Sequence, residues 1–243
     1  MRLLFPISIF GLSFMAGTAR AQTATSVPPP TARIARFAGD RAAAISYTFD
    51  DNLRKTHIGQ PALTLAFPFN QSTPEVQAAA LKYHLAYRSH QASTGGKSTV
   101  ASLNEWADKL VKEKKWDIMM THAIAKGYAA MSDPEIFHAH LKYVKDRERD
   151  IWGDTFANVA RYEKERDDAK LTVAGTVGRI TCTITGSLDS KLYDVPLTIV
   201  VDAPGVVSAH AERAGRELPA RVFPGGIQFD AAPDKEPVTV VWK

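Results

Sequence analysis

The stretch Ala42 to Asn52, AAAISYTFDDN, carries an apolar, β-prone run straight into two adjacent carboxylates, Asp50 and Asp51. Neighbouring side chains in a strand point to opposite faces. At a strand end that alternation relaxes, and both carboxylates can reach one site. Two acids so placed suit metal-assisted hydrolysis, in which one holds the ion and the other takes a proton from the metal-bound water. A strand closing in a polar Asp-Asp-Asn turn accounts for the same residues without any chemistry.

Outward from that stretch, 243 residues allow one medium domain, or one domain and a small module. The 45% hydrophobic and 23% charged content is that of an ordinary globular chain. The net charge is +4, with basic residues spread among acids, so there is no electrostatic footprint for nucleic acid. A mildly basic balance suits anionic cell-wall material. Cys182 is the single cysteine, which excludes an intramolecular disulfide. Alternation in TVGRITCTITG places it in a strand, as a buried structural residue rather than an activated thiol.

Met1 to Ala21 has a basic start at Arg2, an apolar run from Leu3 to Ala16, and small residues at Ala19 and Ala21. This is a secretory signal pattern, with Gln22 at the new terminus after cleavage. The apolar run is too short for a comfortable membrane span, and no stable membrane anchor is expected. The mature chain is therefore expected to be periplasmic or extracellular. Residues 22–32, with Pro28 to Pro30, read as an extended lead-in.

After the opening strand, Leu53 to His57 reads as a helix tail and Ile58 to Pro61 as a turn. Leu63 to Phe69 reads as a strand, Thr73 to Tyr83 as a helix, and Leu85 to Arg88 as a short strand. Gln91 to Ser98 is a polar loop. Val100 to Lys114 is an amphipathic helix, with Leu103, Trp106, Leu110 and Val111 at helical spacing. Trp116 to Ala123 is an apolar strand carrying His122 near its C-terminal end. Helices follow from Pro134 to about Arg147 and from Thr155 to Asp168. From Lys170 short β-rich runs alternate with Gly, Pro and Asp turns, the pattern of an antiparallel sandwich.

Thr48-Phe49-Asp50-Asp51 resembles the first motif of the NodB-homology polysaccharide deacetylases, carbohydrate esterase family 4. Ala66-Phe67-Pro68-Phe69-Asn70, the apolar strand ending at His122, and DIWGDTFANVARYEKERD resemble later segments of the same family, in order. The resemblance implies an α/β fold with a truncated (β/α) barrel-like deacetylase domain at 33–168, followed by the small all-β sandwich-like module read from its own pattern at 169–243. A full barrel takes roughly two hundred residues or more, so this one is short. The resemblance makes Asp50 the catalytic base, Asp51 a ligand of a Zn²⁺-like ion, and His122 the acid. The implied activity is removal of N-acetyl groups from a polysaccharide or cell-wall glycan. The family's His-x-x-x-His pair is missing here, as by an internal deletion, and catalytic zinc normally takes three protein ligands. The expectation is an impaired deacetylase, or alternatively a catalytically silent carbohydrate-binding protein. Tight binding of a metal would mean that another residue, such as His57 or His90, replaces the missing pair.

Overall fold

The computed structural model describes residues 29–49, 63–131 and 133–243. Those residues form a mixed α/β structure with four helices and several sheets. The segment 50–62, read above as a helix tail and turn, falls outside them, as do the export pattern and most of the lead-in.

The first two strands go to different sheets. β1 (Ala32–Ile34) joins the C-terminal β-region, while β2 (Ala43–Phe49) becomes a central strand of a parallel sheet. There follow β3 (Thr64–Ala66), α1 (Pro74–Ala80), β4 (Ala86–Arg88), β5 (Ala92–Thr94) and α2 (Val100–Glu113). Next come β6 (Trp116–Thr121), α3 (Pro134–Asp146), β7 (Ile151–Gly153) and α4 (Phe156–Asp168). The parallel sheet has the order β5-β6-β2-β7, and β3 pairs with β4 in a separate parallel ladder. Period-2 alternation in β2 sends Ala43 and Ile45 onto Ala107, Leu110 and Val144 of the helical layer. Ala44 goes the other way, into a core with Trp152, Val159 and Tyr162.

The helices start where their caps allow. The Thr99 hydroxyl accepts from the Ser102 N–H, and the Ser102 hydroxyl accepts from the Thr99 N–H, closing a capping box on α2. Leu103, Ala107 and Leu110 then recur on its buried face. Asp133 caps α3 ahead of Pro134, and Thr155 caps α4. Three local expectations need correction. The strand written over Leu63 to Phe69 stops at Ala66, because Pro68 has no N–H to continue a ladder and a 3-10 turn follows. The helix expected to reach Tyr83 ends at Ala80. The polar loop at Gln91 to Ser98 contains β5, held as an edge strand against β6.

The C-terminal region comprises β8 (Lys170–Thr176), β9 (Arg179–Thr185), β10 (Leu197–Asp202), β11 (Ala209–Arg213), β12 (Arg216–Leu218), β13 (Ala220–Phe223), β14 (Gly226–Ala231) and β15 (Val238–Trp242). Its two antiparallel sheets run β1-β10-β14-β13 and β12-β11-β15-β9-β8. They share one core: Ile180 and Cys182 from β9, Ile199 and Val201 from β10, Ile227 and Phe229 from β14, Val238 and Val240 from β15. Cys182 is fully buried there, and burial pushes its thiol up to about 11, so it is a small core residue.

That core does not stop at residue 169. Phe37, Ala44, Trp152, Val159 and Tyr162 belong to it. Tyr162 is fully buried, stacks edgewise on Trp152 at 5.3 Å, donates to the Ala35 carbonyl at 3.0 Å, and accepts from the Thr198 N–H at 3.3 Å. One side chain of α4 thus ties the N-terminal strand segment to β10. Burying a ring of that size contributes about 2–3 kcal/mol, provided its hydroxyl is satisfied, as it is. No helix among the described residues is long and apolar enough to cross a membrane.

Candidate functional site

Parallel strands bring their C-terminal ends to one edge, where loops can place chemistry on a rigid support. β2 ends with Phe49 in register with Thr121, the last residue of β6, and Thr121 is also the register partner of Thr94 at the end of β5. His122 follows immediately. It is half-buried, with its ring edge-on to Tyr128 at a centroid distance of 5.1 Å. Asp50 and Asp51 follow Phe49 in sequence and lie outside the described residues.

The polar groups at this edge are ordered. Arg88, at the end of β4, is 4% exposed and donates through Nη1 to Thr48 Oγ1 at 2.9 Å. A guanidinium drawn into the interior demands acceptors, because desolvation of a cation is costly. Thr94 Oγ1 donates to the Met120 carbonyl at 3.2 Å, and Thr121 Oγ1 to the Ala123 carbonyl at 3.1 Å. The loop after β6 is pinned at its base by Ala125 N–H to the Met131 carbonyl and Met131 N–H to the Ala123 carbonyl, at 2.8 and 3.0 Å. Tyr128 sits in the span so closed and is 77% exposed.

A second ring stands out from the segment after β3. Ala66 is in register with Arg88, and the chain then turns through Pro68–Asn70. Phe67 packs inward on Tyr87 at 5.3 Å, whereas Phe69 is 93% exposed, with φ at 55°. A bulky residue in the left-handed region is unusual and indicates that the surroundings dictate the backbone. Neither Phe69 nor Tyr128 was singled out from the sequence as an exposed ring. Apolar residues near a strand end read as core, and only the turn geometry turns them outward.

The other residues considered for chemistry go elsewhere. His90 lies at the opposite end of the parallel sheet, where its Nε2 is 3.3 Å from Asp117, so it cannot complete a site at the C-terminal ends. His140 is buried, with Nε2 3.2 Å from the Tyr47 hydroxyl and Nδ1 3.0 Å from Asn104 Oδ1. His138 points out beside Glu135, and His57 is outside the described residues. Trp106 is partly buried and donates to Asp117 Oδ2 at 2.9 Å, a packing and anchoring role. Among the described residues no group of three His, Cys, Asp or Glu side chains is placed to hold a metal ion. Asp51, beside which the Zn²⁺ is expected, lies outside those residues.

A cleft of about 620 Å³ lies on the seam between the two regions, lined in part by Arg41, Arg149, Arg221 and Asp230. Two of its guanidinium groups are already in use: Arg41 donates to the Ala38 and Glu148 carbonyls, and Arg221 to Gln228 Oε1. It reads as a structural seam.

No family model matches the chain. Among characterised proteins, it is 24% identical over 241 aligned residues to a gellan lyase from Bacillus sp., a match covering 80% of this chain. The chain spans only 10% of that protein's length. Among solved structures, the catalytic domain of GH30 xylanase C from Talaromyces cellulolyticus aligns over 69% of this chain and 47% of that one. Identity there is 10% and the TM-score 0.17, too low to show a shared fold. These findings correct the resemblance to the NodB-homology deacetylases, and with it the deacetylase activity: the relative found is named for lyase chemistry. A four-residue Thr-Phe-Asp-Asp motif is also what any buried strand closing in an acidic turn presents, so it carries little information by itself.

Proposed function

We propose that this chain acts on a polysaccharide, with the glycan lying across the C-terminal ends of the parallel strands. The observations that carry this reading are two exposed rings: Tyr128, in the loop after β6, and Phe69, in the turn after β3, whose partner strand β4 ends at Arg88, bonded to Thr48 of β2. A sugar ring presents a face of C–H groups that stacks on an aromatic side chain, and its hydroxyls then reach polar groups around the platform. His122, held against Tyr128, is the group we assign to proton transfer. Asp50 and Asp51, next in the chain after β2, are the carboxylates we assign to the same end. The similarity to a gellan lyase supports a glycan as the substrate class. We read the parallel sheet as an open, barrel-like half, and the chain as exported, in keeping with the pattern at Met1 to Ala21.

Affinity electrophoresis in gels cast with gellan tests the reading. The wild-type chain should be retarded, and Phe69→Ala and Tyr128→Ala should each weaken binding about 5- to 10-fold, the range expected for one lost stacking contact. Wild-type mobility unchanged by gellan, or both variants retarded like wild type, would sink it. Incubation with the polymer adds a second readout: new reducing ends that depend on His122, and a new carbon–carbon double bond if the cleavage is eliminative.

A further inference from the structure

The C-terminal end of α4 and the turns of the β-region border a second cavity of about 510 Å³, within the size range of ligand sites. Four acidic side chains line it, Glu165, Asp168, Asp194 and Asp234, against one cation, Lys235. Three of the acids are already engaged. Asp168 accepts from both the Ser187 N–H and its hydroxyl, at 2.5 and 2.6 Å. Asp194 pairs with Arg161 at 3.2 Å, and Asp234 with Arg213 and the Glu236 N–H. Glu165 is different. It is 1% exposed, its Oε2 accepts from the Val195 N–H at 3.2 Å, and its Oε1 has no hydrogen-bond partner among the described residues. A buried carboxyl oxygen left without a donor costs about 1–3 kcal/mol. A fold keeps such a group where something else supplies the donor.

The chemistry of the cavity narrows what that donor is. An anion is repelled by the acidic wall. A metal ion has no set of three free ligands among the described residues. Tyr193, half-buried, with Leu188 and Pro233, gives the cavity an apolar side. We infer that this cavity is a second saccharide site, taking one uncharged sugar unit that stacks on Tyr193 and donates a hydroxyl proton to the Glu165 carboxyl. The choice of a sugar among hydroxyl-bearing ligands rests on the polysaccharide reading above; the site itself rests on its own geometry. Burial raises the Glu165 carboxyl to about 7. The ionised form is the stronger acceptor, so binding should tighten as pH rises through 7. Asp194 next to it acts in the same direction as burial, and Arg161 against both.

The test is a titration of the full chain with methyl glucoside, methyl mannoside and methyl rhamnoside, followed by amide NMR, with glucuronate and glucosamine beside them. Saturable shifts of the Val195 and Ser187 signals by an uncharged glycoside are expected, with glucuronate inert. Tyr193→Ala should weaken binding about tenfold, and Glu165→Gln should remove its pH dependence. If Glu165→Gln fails to fold, Tyr193→Ala alone decides. No saturable shift, equal binding of glucuronate, preference for glucosamine, or a Tyr193→Ala variant that binds like wild type would overturn the inference. Gellan retardation in the Tyr193→Ala background reports on the strand-end face separately. Loss of retardation in Phe69→Ala with glycoside shifts intact leaves each site standing by itself. Glycoside shifts without any gellan retardation remove the first reading and keep this one.

Discussion

Burial leaves His140 without water to share a proton, and its imidazole is pushed down to about 4. Asn104 Oδ1 can only accept, so Nδ1 carries the proton and Nε2 accepts from the Tyr47 hydroxyl. The unfolded chain takes up a proton near 6.5, and the folded chain does not until about 4. Stability from this site is therefore whole above 6.5 and is lost as pH falls towards 4, up to about 3 kcal/mol. Urea unfolding of wild type and His140→Gln at pH 7 and pH 4.5 checks this. The wild type should lose more than the variant, and equal losses would refute the assignment. At this scale the sequence was partly legible. His122 is found at the strand end where the apolar run predicts it. The burial of His140 is not written in its neighbours, and the i, i+2 spacing with His138 tells only that the two diverge. The exposure of Phe69 depends on a left-handed backbone that no local residue requires.

Among the elements, the long periodic ones were readable and the short ones were not. α2, α3 and α4 each repeat their apolar face over several turns and carry a capping residue, so local pattern and tertiary role agree. β5 is three residues of Ala-Ser-Thr, and only its pairing with β6 makes it a strand. The hairpin of β13 and β14 turns on one position. Gly226 opens β14 at φ 151°, where a Cβ would come 1.9 Å from the Val201 carbonyl oxygen of β10. No side chain fits, and the clash is with backbone. Gly226→Ala should cost about 3 kcal/mol or more, as a forced shift of β14 away from β10. Thermal unfolding of the variant measures it. A loss below about 1 kcal/mol would mean the ladder relaxes freely there.

For the whole molecule, the shared core decides how the chain comes apart. Trp152, Tyr162 and Phe37 are buried with the side chains of β9, β10 and β14. One cooperative transition is expected, monitored alike by tryptophan fluorescence and far-ultraviolet dichroism. A fragment of residues 169–243 lacks β1 and the ring of Tyr162, and it should show no dispersed amide spectrum when expressed alone. A well-dispersed one would show that the boundary read at residue 169 separates two independent units. The change of composition after Asp168 was legible, but the partner of β1 was not, because pairing over such a separation leaves no local trace. Thr31 bonds to Asp202, 171 residues downstream, just where β1 meets β10. The ribosome releases the first strand of the sandwich long before its neighbour exists. Until β10 emerges, Ala32–Ile34 has no ladder to join, and the sheet that holds the molecule together closes only near the end of synthesis. Such late closure slows folding.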